Sequence, residues 1–146
     1  DKAHVVCATG SGGTQAGLLI GSELFDCSST VWGVNVSDDA DYFVRKIISD
    51  VDDLKSRSSS FNHIHPEPRI IDGYVGAGYG KANSIIYQLI SELASLEGII
   101  LDPVYTGKAF HGMITEIAKG RFSGSTGIIF IHTGGIFGYL ANTEEV

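Results

Sequence analysis

The chain has 146 residues, 43% of them apolar and 18% charged, which excludes a disordered polymer and suits a single domain with a core of its own. Ten Lys and Arg against 17 Asp and Glu give a formal charge of -7. Such a chain lacks the basic face that nucleic acid or an anionic membrane surface requires, and no apolar run approaches the length of a membrane span.

The chain opens at Asp1 and its one methionine is Met113. It enters a strand at His4-Val5-Val6-Cys7 with no lead-in, so it reads as a piece of a longer polypeptide. Val5 to Ala8 is a short apolar, β-branched run that stops at Thr9-Gly10-Ser11-Gly12-Gly13, the mark of a buried strand. Ala16, Leu18, Leu19, Ile20, Leu24 and Phe25 then fit a largely buried helix from Thr14 to Phe25. A second strand spans Val31 to Val36. Ser37, Asp38 and Asp39 offer cap oxygens to a helix whose Phe43, Ile47, Val51 and Leu54 form one apolar face. Residues 56–68, with Arg57-Ser58-Ser59-Ser60, Pro66 and Pro68, read as an exposed loop. Ile86, Leu89, Ile90, Leu93 and Leu96 mark a third helix stopped by Gly98. Ile99-Ile100-Leu101 reads as a third strand. Ala109, Phe110, Met113, Ile114, Ile117 and Ala118 trace a fourth helix ended by Gly120. Ile128 to Ile131 reads as a fourth strand.

Strands that are continuous apolar runs and alternate with helices predict an α/β fold: an open, mostly parallel sheet with helices on both faces. Ligands of such sheets bind beyond the carboxyl ends of the strands. Three polar, glycine-rich clusters fall there: Thr9 to Thr14, Asp102 to Lys108, and His132 to Gly135. Together they predict one pocket. The first joins a strand to a helix N-terminus, where unpaired N–H groups favour an anion, best a phosphate. It contains no lysine, so backbone amides would do most of the neutralising.

Other chemistries fit less well. No Lys-Ser or Lys-Thr is present, which rules out a Walker A loop. The dinucleotide pattern starting at Gly10 fails at Gln15, which counts against a nicotinamide oxidoreductase even though Asp38 stands where a ribose could be held. His63, His65 and Glu67 share an extended segment but lack a further ligand, so no metal is expected. Cys7 and Cys27 form no C-x-x-C and read as two reduced, buried thiols in a reducing compartment.

The segment Cys7-Ala8-Thr9-Gly10-Ser11-Gly12-Gly13-Thr14-Gln15-Ala16-Gly17-Leu18 resembles the phosphate loop of pyridoxal-phosphate enzymes related to the tryptophan synthase β-subunit. Asp102-Pro103-Val104-Tyr105-Thr106-Gly107-Lys108-Ala109 is more specific. It resembles the branch holding D-cysteine desulfhydrase and 1-aminocyclopropane-1-carboxylate deaminase. Phe130-Ile131-His132-Thr133-Gly134-Gly135 and Gly78-Tyr79-Gly80 agree with that branch. The resemblance covers nearly the whole chain, but only the C-terminal portion of a family member.

That resemblance implies that residues 1–146 are the C-terminal part of the cofactor-binding catalytic domain of a fold-type-II enzyme. Thr9, Gly10, Ser11, Gly12, Gly13 and Thr14 would hold the phosphate of pyridoxal 5'-phosphate. Tyr79 and Tyr105 match the branch's two active-site tyrosines. Thr106 and Thr133 match the positions where the branch divides: deaminases tend to carry Glu and Leu there, desulfhydrases small hydroxyl residues. A neutral hydroxyl beside the pyridine nitrogen leaves a weaker electron sink, which suits proton removal followed by rapid loss of a β-thiol. The implied activity is elimination on D-cysteine, giving pyruvate, ammonia and hydrogen sulfide. The alternatives are the deaminase and a non-catalytic cofactor-binding protein. Read without the family, Thr106 is equally a helix cap and the tyrosines equally packing residues.

The family's Schiff-base lysine lies in its N-terminal portion. None of Lys2, Lys46, Lys55, Lys81, Lys108 and Lys119 sits in that motif. The chain alone is therefore expected to be inactive. The full-length protein is expected to act on a small amino acid, as a homodimer, in the cytoplasm, with an organelle left open because the N-terminus is missing.

Overall fold

The computed structural model describes residues 2–141. Asp1 and residues 142–146, the two ends of the expected unit, lie outside the described residues. Strand β1 (His4–Thr9) is followed by α1 (Gly13–Leu24), β2 (Thr30–Asn35) and α2 (Ala40–Arg57). A single 3-10 turn at Ser59–Phe61 precedes β3 (Arg69–Ile71). Then come α3 (Ser84–Glu97), α4 (Thr106–Ala118), β4 (Ile128–Ile131) and α5 (Ile136–Ala141). The sheet order is β3-β2-β1-β4 and every pairing is parallel.

Parallel neighbours need crossovers, and the helices that supply them cover both faces, as the sequence pattern predicts. On one face Ala16 and Leu19 of α1 and Ile47 of α2 pack on Val31. On the other, Ala109 and Met113 of α4 pack on Val6, Val34 and Ile71. Alternate residues of β1 and β2 thus serve opposite cores. A third cluster joins Ile86 and Ile90 of α3 to Leu101.

Local signals explain most boundaries. Asp39 accepts a hydrogen bond from the Tyr42 N–H and caps α2; Asn83 caps α3 through the Ile86 N–H. Gly98 ends α3 at φ +69°, a conformation that favours glycine. Two expectations fail. Ile99-Ile100-Leu101 forms no strand. Its Ile100 carbonyl bonds the His132 side chain instead, at 2.9 Å, just beyond β4. The third strand is Arg69–Ile71, where the apolar run is only two residues long and its register comes from β2. Cys27 is exposed rather than buried, whereas Cys7 is buried and its thiol is pushed up to about 11 by desolvation.

Below the sheet, Glu116 of α4 is nearly buried, at 5% exposure. It accepts from the Tyr74 hydroxyl at 2.7 Å, from Lys119 at 2.8 Å and from the Arg121 guanidinium. Burial alone would raise its pKa, but these hydrogen bonds outweigh it and hold the carboxyl down at about 2. A carboxylate held low in the fold stabilises it fully above the ordinary value of 4.5, and that contribution disappears as the pH falls toward about 2. Denaturant unfolding should therefore weaken across that window. Glu116→Gln should lower stability at neutral pH by about 1–2 kcal/mol and flatten the acid dependence.

Candidate active site

Thr9 ends β1 and Gly13 opens α1, so residues 10–12 make the turn at the carboxyl edge of the sheet. Gly12 caps α1 at φ +87°, in the left-handed region, and no side chain caps that helix end. The first N–H groups of α1 therefore face the turn without an intrahelical acceptor. A buried polar clip closes the loop from behind. The Thr9 hydroxyl donates to Gln15 Oε1 at 2.9 Å, and Gln15 Nε2 donates to the Arg69 carbonyl at 2.9 Å. Gln15 is fully buried and Thr9 nearly so. Space for the clip comes from Gly33 of β2, where a Cβ would lie 2.0 Å from Gln15 Oε1.

The second cluster is built on Asp102, which is 1% exposed. One carboxylate oxygen accepts from the Val104 and Tyr105 N–H groups, both at 2.8 Å. The other accepts from the Thr106 N–H at 2.8 Å and its hydroxyl at 2.7 Å. Thr106 Oγ1 in turn accepts from the Asp102 N–H at 2.9 Å. All lone-pair directions of the carboxylate are used, so the turn that starts α4 has one shape. Tyr105 caps α4 and points its ring at the glycine loop, where a Cβ on residue 10 would lie 2.8 Å from Tyr105 Cε1. Only glycine lets the two meet.

The third cluster follows β4. His132 Nδ1 accepts from the Gly134 N–H at 3.0 Å, which leaves Nε2 to donate to the Ile100 carbonyl. This pair of bonds orients the turn that carries Thr133.

The clusters surround one cavity of about 530 Å3, a size that suits a small cofactor. Ala8, Gly10, Ser11, Gly12, Thr14, Ser37, Tyr79, Tyr105 and Thr133 line it. Seven of the ten residues singled out from sequence thus meet on its wall. Thr9, Gly13 and Thr106 do not. Thr9 holds the loop from behind. The Thr106 hydroxyl spends its proton on Asp102, so it serves the turn, although the helix cap is Tyr105. The Tyr79 and Tyr105 hydroxyls hydrogen-bond across the mouth, with ring centroids 5.8 Å apart at 67°. The Tyr79 hydrogen bond, then burial and the Asp102 charge, push the Tyr105 phenol up to about 12.

Sequence reasoning placed Asp102 in the second cluster without giving it a role, and missed Gln15 and Ser37 as parts of the site. Asp102 and Gln15 had a signal, being polar residues inside apolar stretches. Ser37 donates to the Gly10 carbonyl at 3.1 Å, a contact set only by the pairing of β1 with β2. The turn holding Asp38 is organised by Asn35, whose Oδ1 accepts the Asp38 N–H at 3.1 Å. Among the described residues, no group of three His, Cys, Asp or Glu is placed to hold a metal ion, and no helix is long and apolar enough to cross a membrane.

A family model described as pyridoxal-phosphate dependent enzyme matches residues 1–134. The chain belongs to that family. It is 41% identical over 143 residues to a putative 1-aminocyclopropane-1-carboxylate deaminase of Thermotoga maritima, covering 97% of the chain and 44% of the relative. It is 39% identical over 133 residues to a D-cysteine desulfhydrase of Klebsiella pneumoniae, covering 90% of the chain and 39% of the relative. The crystal structure of a protein described as the ACC deaminase homologue superposes with a TM-score of 0.80 at 35% identity, covering 97% of the chain and 42% of that structure. The chain therefore spans less than half the length of each of these relatives.

The residues present fit the family's cofactor. An uncapped helix end and the Ser11 and Thr14 hydroxyls offer donors to a phosphate, and the glycines let it approach the backbone. Lys46, the cation nearest this loop's rear, is paired with Asp50 at 2.6 Å, so the cradle remains one of neutral donors. Gly33→Ala should break the clip behind that cradle, lowering stability by about 2–4 kcal/mol in denaturant unfolding. Gln15→Leu, which removes the polar partners but fills the space, should cost about 1–3 kcal/mol.

Proposed function

We propose that the polypeptide carrying this chain is a D-cysteine desulfhydrase. It takes D-cysteine and water to pyruvate, ammonia and hydrogen sulfide. The chain is then the C-terminal part of the catalytic domain, and the Schiff-base lysine comes from the sequence that precedes it. The observation that carries this reading is the cavity wall. Two tyrosines face a glycine cradle, and Thr133 is the neutral hydroxyl beside them where the deaminase pattern has an apolar leucine.

Bound in the cradle, pyridoxal phosphate supplies an electron sink for a bond broken at the amino-acid Cα. The residues of this chain do the rest. The amides of Ser11 to Thr14 and the two loop hydroxyls hold the phosphate. Thr133 supplies a neutral partner to the bound ring. Asp102 keeps its charge inside the 104–106 turn, so no carboxylate of that turn reaches the wall. Tyr105 keeps its proton at neutral pH, and the hydroxyl pair can donate to the substrate carboxylate or to the departing thiolate.

The deaminase is the second reading, favoured by the name of the Thermotoga maritima relative. Thr133 on the cavity wall supports the desulfhydrase, being a small hydroxyl residue, and Thr106 fits the same pattern by residue type alone. The homodimer rests on the resemblance, and the expected compartment is the cytoplasm, with an organelle as alternative.

Sulfide release from D-cysteine by the full polypeptide should exceed ammonia release from the cyclopropane acid, and the reverse order would make the deaminase the better reading. The 146-residue chain alone should release no sulfide. Replacing Ser11 and Thr14 together by alanine should weaken cofactor binding by about tenfold or more, at about 1 kcal/mol per hydroxyl, read by titration of the cofactor's absorbance.

A further inference from the structure

Lys108 has no part in the reading above, yet it is among the most deeply buried side chains of the molecule, at 2% exposure. Lysine is almost never buried unless paired. Among the described residues Lys108 forms no ion pair. Its Nζ donates instead to two main-chain carbonyls, Val75 at 2.7 Å and Gly78 at 2.9 Å.

Both carbonyls belong to residues 72–83, which join β3 to α3 by turns alone. Gly73, Gly76, Gly78 and Gly80 there all have positive φ, between +70° and +128°, so the segment's own backbone offers it little regular hydrogen bonding. It lies along α4 as a strap with three ties. The Tyr74 hydroxyl reaches Glu116 near the far end of the helix. Lys108 holds the middle. The Tyr79 hydroxyl meets Tyr105 at the start. Lys108 and Tyr105 are three residues apart, on one face of the same helix turn. Tyr79 is 58% exposed, so packing does not hold it in place.

We propose that Lys108 is a positioning residue: by binding the Val75 and Gly78 carbonyls it fixes the strap along α4 and so holds Tyr79 against Tyr105 over the cavity. The catalytic meaning of this rests on the reading given above; the geometry does not. A lysine that merely filled the core could be replaced by methionine, whose unbranched chain matches the lysine stem as far as Cε. A staple could not, because methionine donates no hydrogen bond.

The experiment uses the full polypeptide with ring-labelled tyrosine, read by NMR, the two signals being assigned with Tyr79→Phe and Tyr105→Phe. At pH about 10 an unperturbed tyrosine is half ionised. Tyr105 should remain almost wholly protonated there, its phenol being held up to about 12 mainly by Tyr79. In Lys108→Met its ionised fraction there should rise by about tenfold, and amide exchange across residues 73–80 should speed by about tenfold or more. Adding Lys108→Met to Tyr79→Phe should change the Tyr105 titration no further. A folded Lys108→Met protein with Tyr105 still protonated and exchange unchanged would overturn the proposal. If that variant does not fold, Lys108→Gln, whose amide reaches one bond less far, should still raise Tyr105 ionisation; an unchanged signal there overturns it equally. No cofactor or substrate enters these measurements, so failure of the desulfhydrase reading would leave their outcome untouched.

Discussion

The Asp102 carboxylate is the constraint on which the site depends. A buried carboxylate is tolerated only when its lone pairs are filled, and the three N–H groups and one hydroxyl that fill them all come from residues 104–106. The chain therefore has one way to pass from residue 102 into α4. That path sets the Tyr105 ring against Gly10, and one turn later it sets Lys108 beneath the 72–83 segment. Leaving any of those donors unmatched would cost more than the turn could recover elsewhere, which makes the whole arrangement all-or-none.

Charge is kept off the cavity wall. Asp102 is consumed by its turn, Lys108 by two carbonyls and Lys46 by Asp50. What remains are backbone dipoles, hydroxyls and phenols. Such groups bind an anion through directed hydrogen bonds rather than through net charge. Their positions are set by packed secondary structure, so little reorganisation is needed when the anion arrives. The buried Thr9–Gln15 clip serves the same end from the other side, tying the last residue of β1 to the first turn of α1 across the loop.

The alternation of strands and helices was legible in the residues because each crossover helix carries its own apolar face and its own stop. Asp39 and Gly98 are local devices, and they act in the structure at the helix ends where the sequence placed them; Asn83 caps α3 in the same local way. Two features were not legible. Arg69–Ile71 is a strand because β2 offers it hydrogen bonds, not because three residues carry a pattern. Ile99-Ile100-Leu101 has the better strand composition, yet it finds no partner, since propensity decides little without one. The site followed the same rule. The glycine loop stood out by type and place, and the tyrosines through the family resemblance. The Thr106 hydroxyl is committed to Asp102, a commitment visible only when both ends of the turn are in view.

The tyrosine pair also limits what the site can do. Proton transfer is most effective from a group whose pKa lies near the working pH, and Tyr105 stands about five units above neutrality in this chain. It is held there as a donor. When two hydroxyls share a hydrogen bond, one proton lies between them and the other is free to point elsewhere. The pair thus presents one donor to the cavity and no strong acceptor. A donor of that kind steadies developing negative charge on a carboxylate or a leaving sulfur. The residues that line this cavity carry no carboxylate, imidazole or amine.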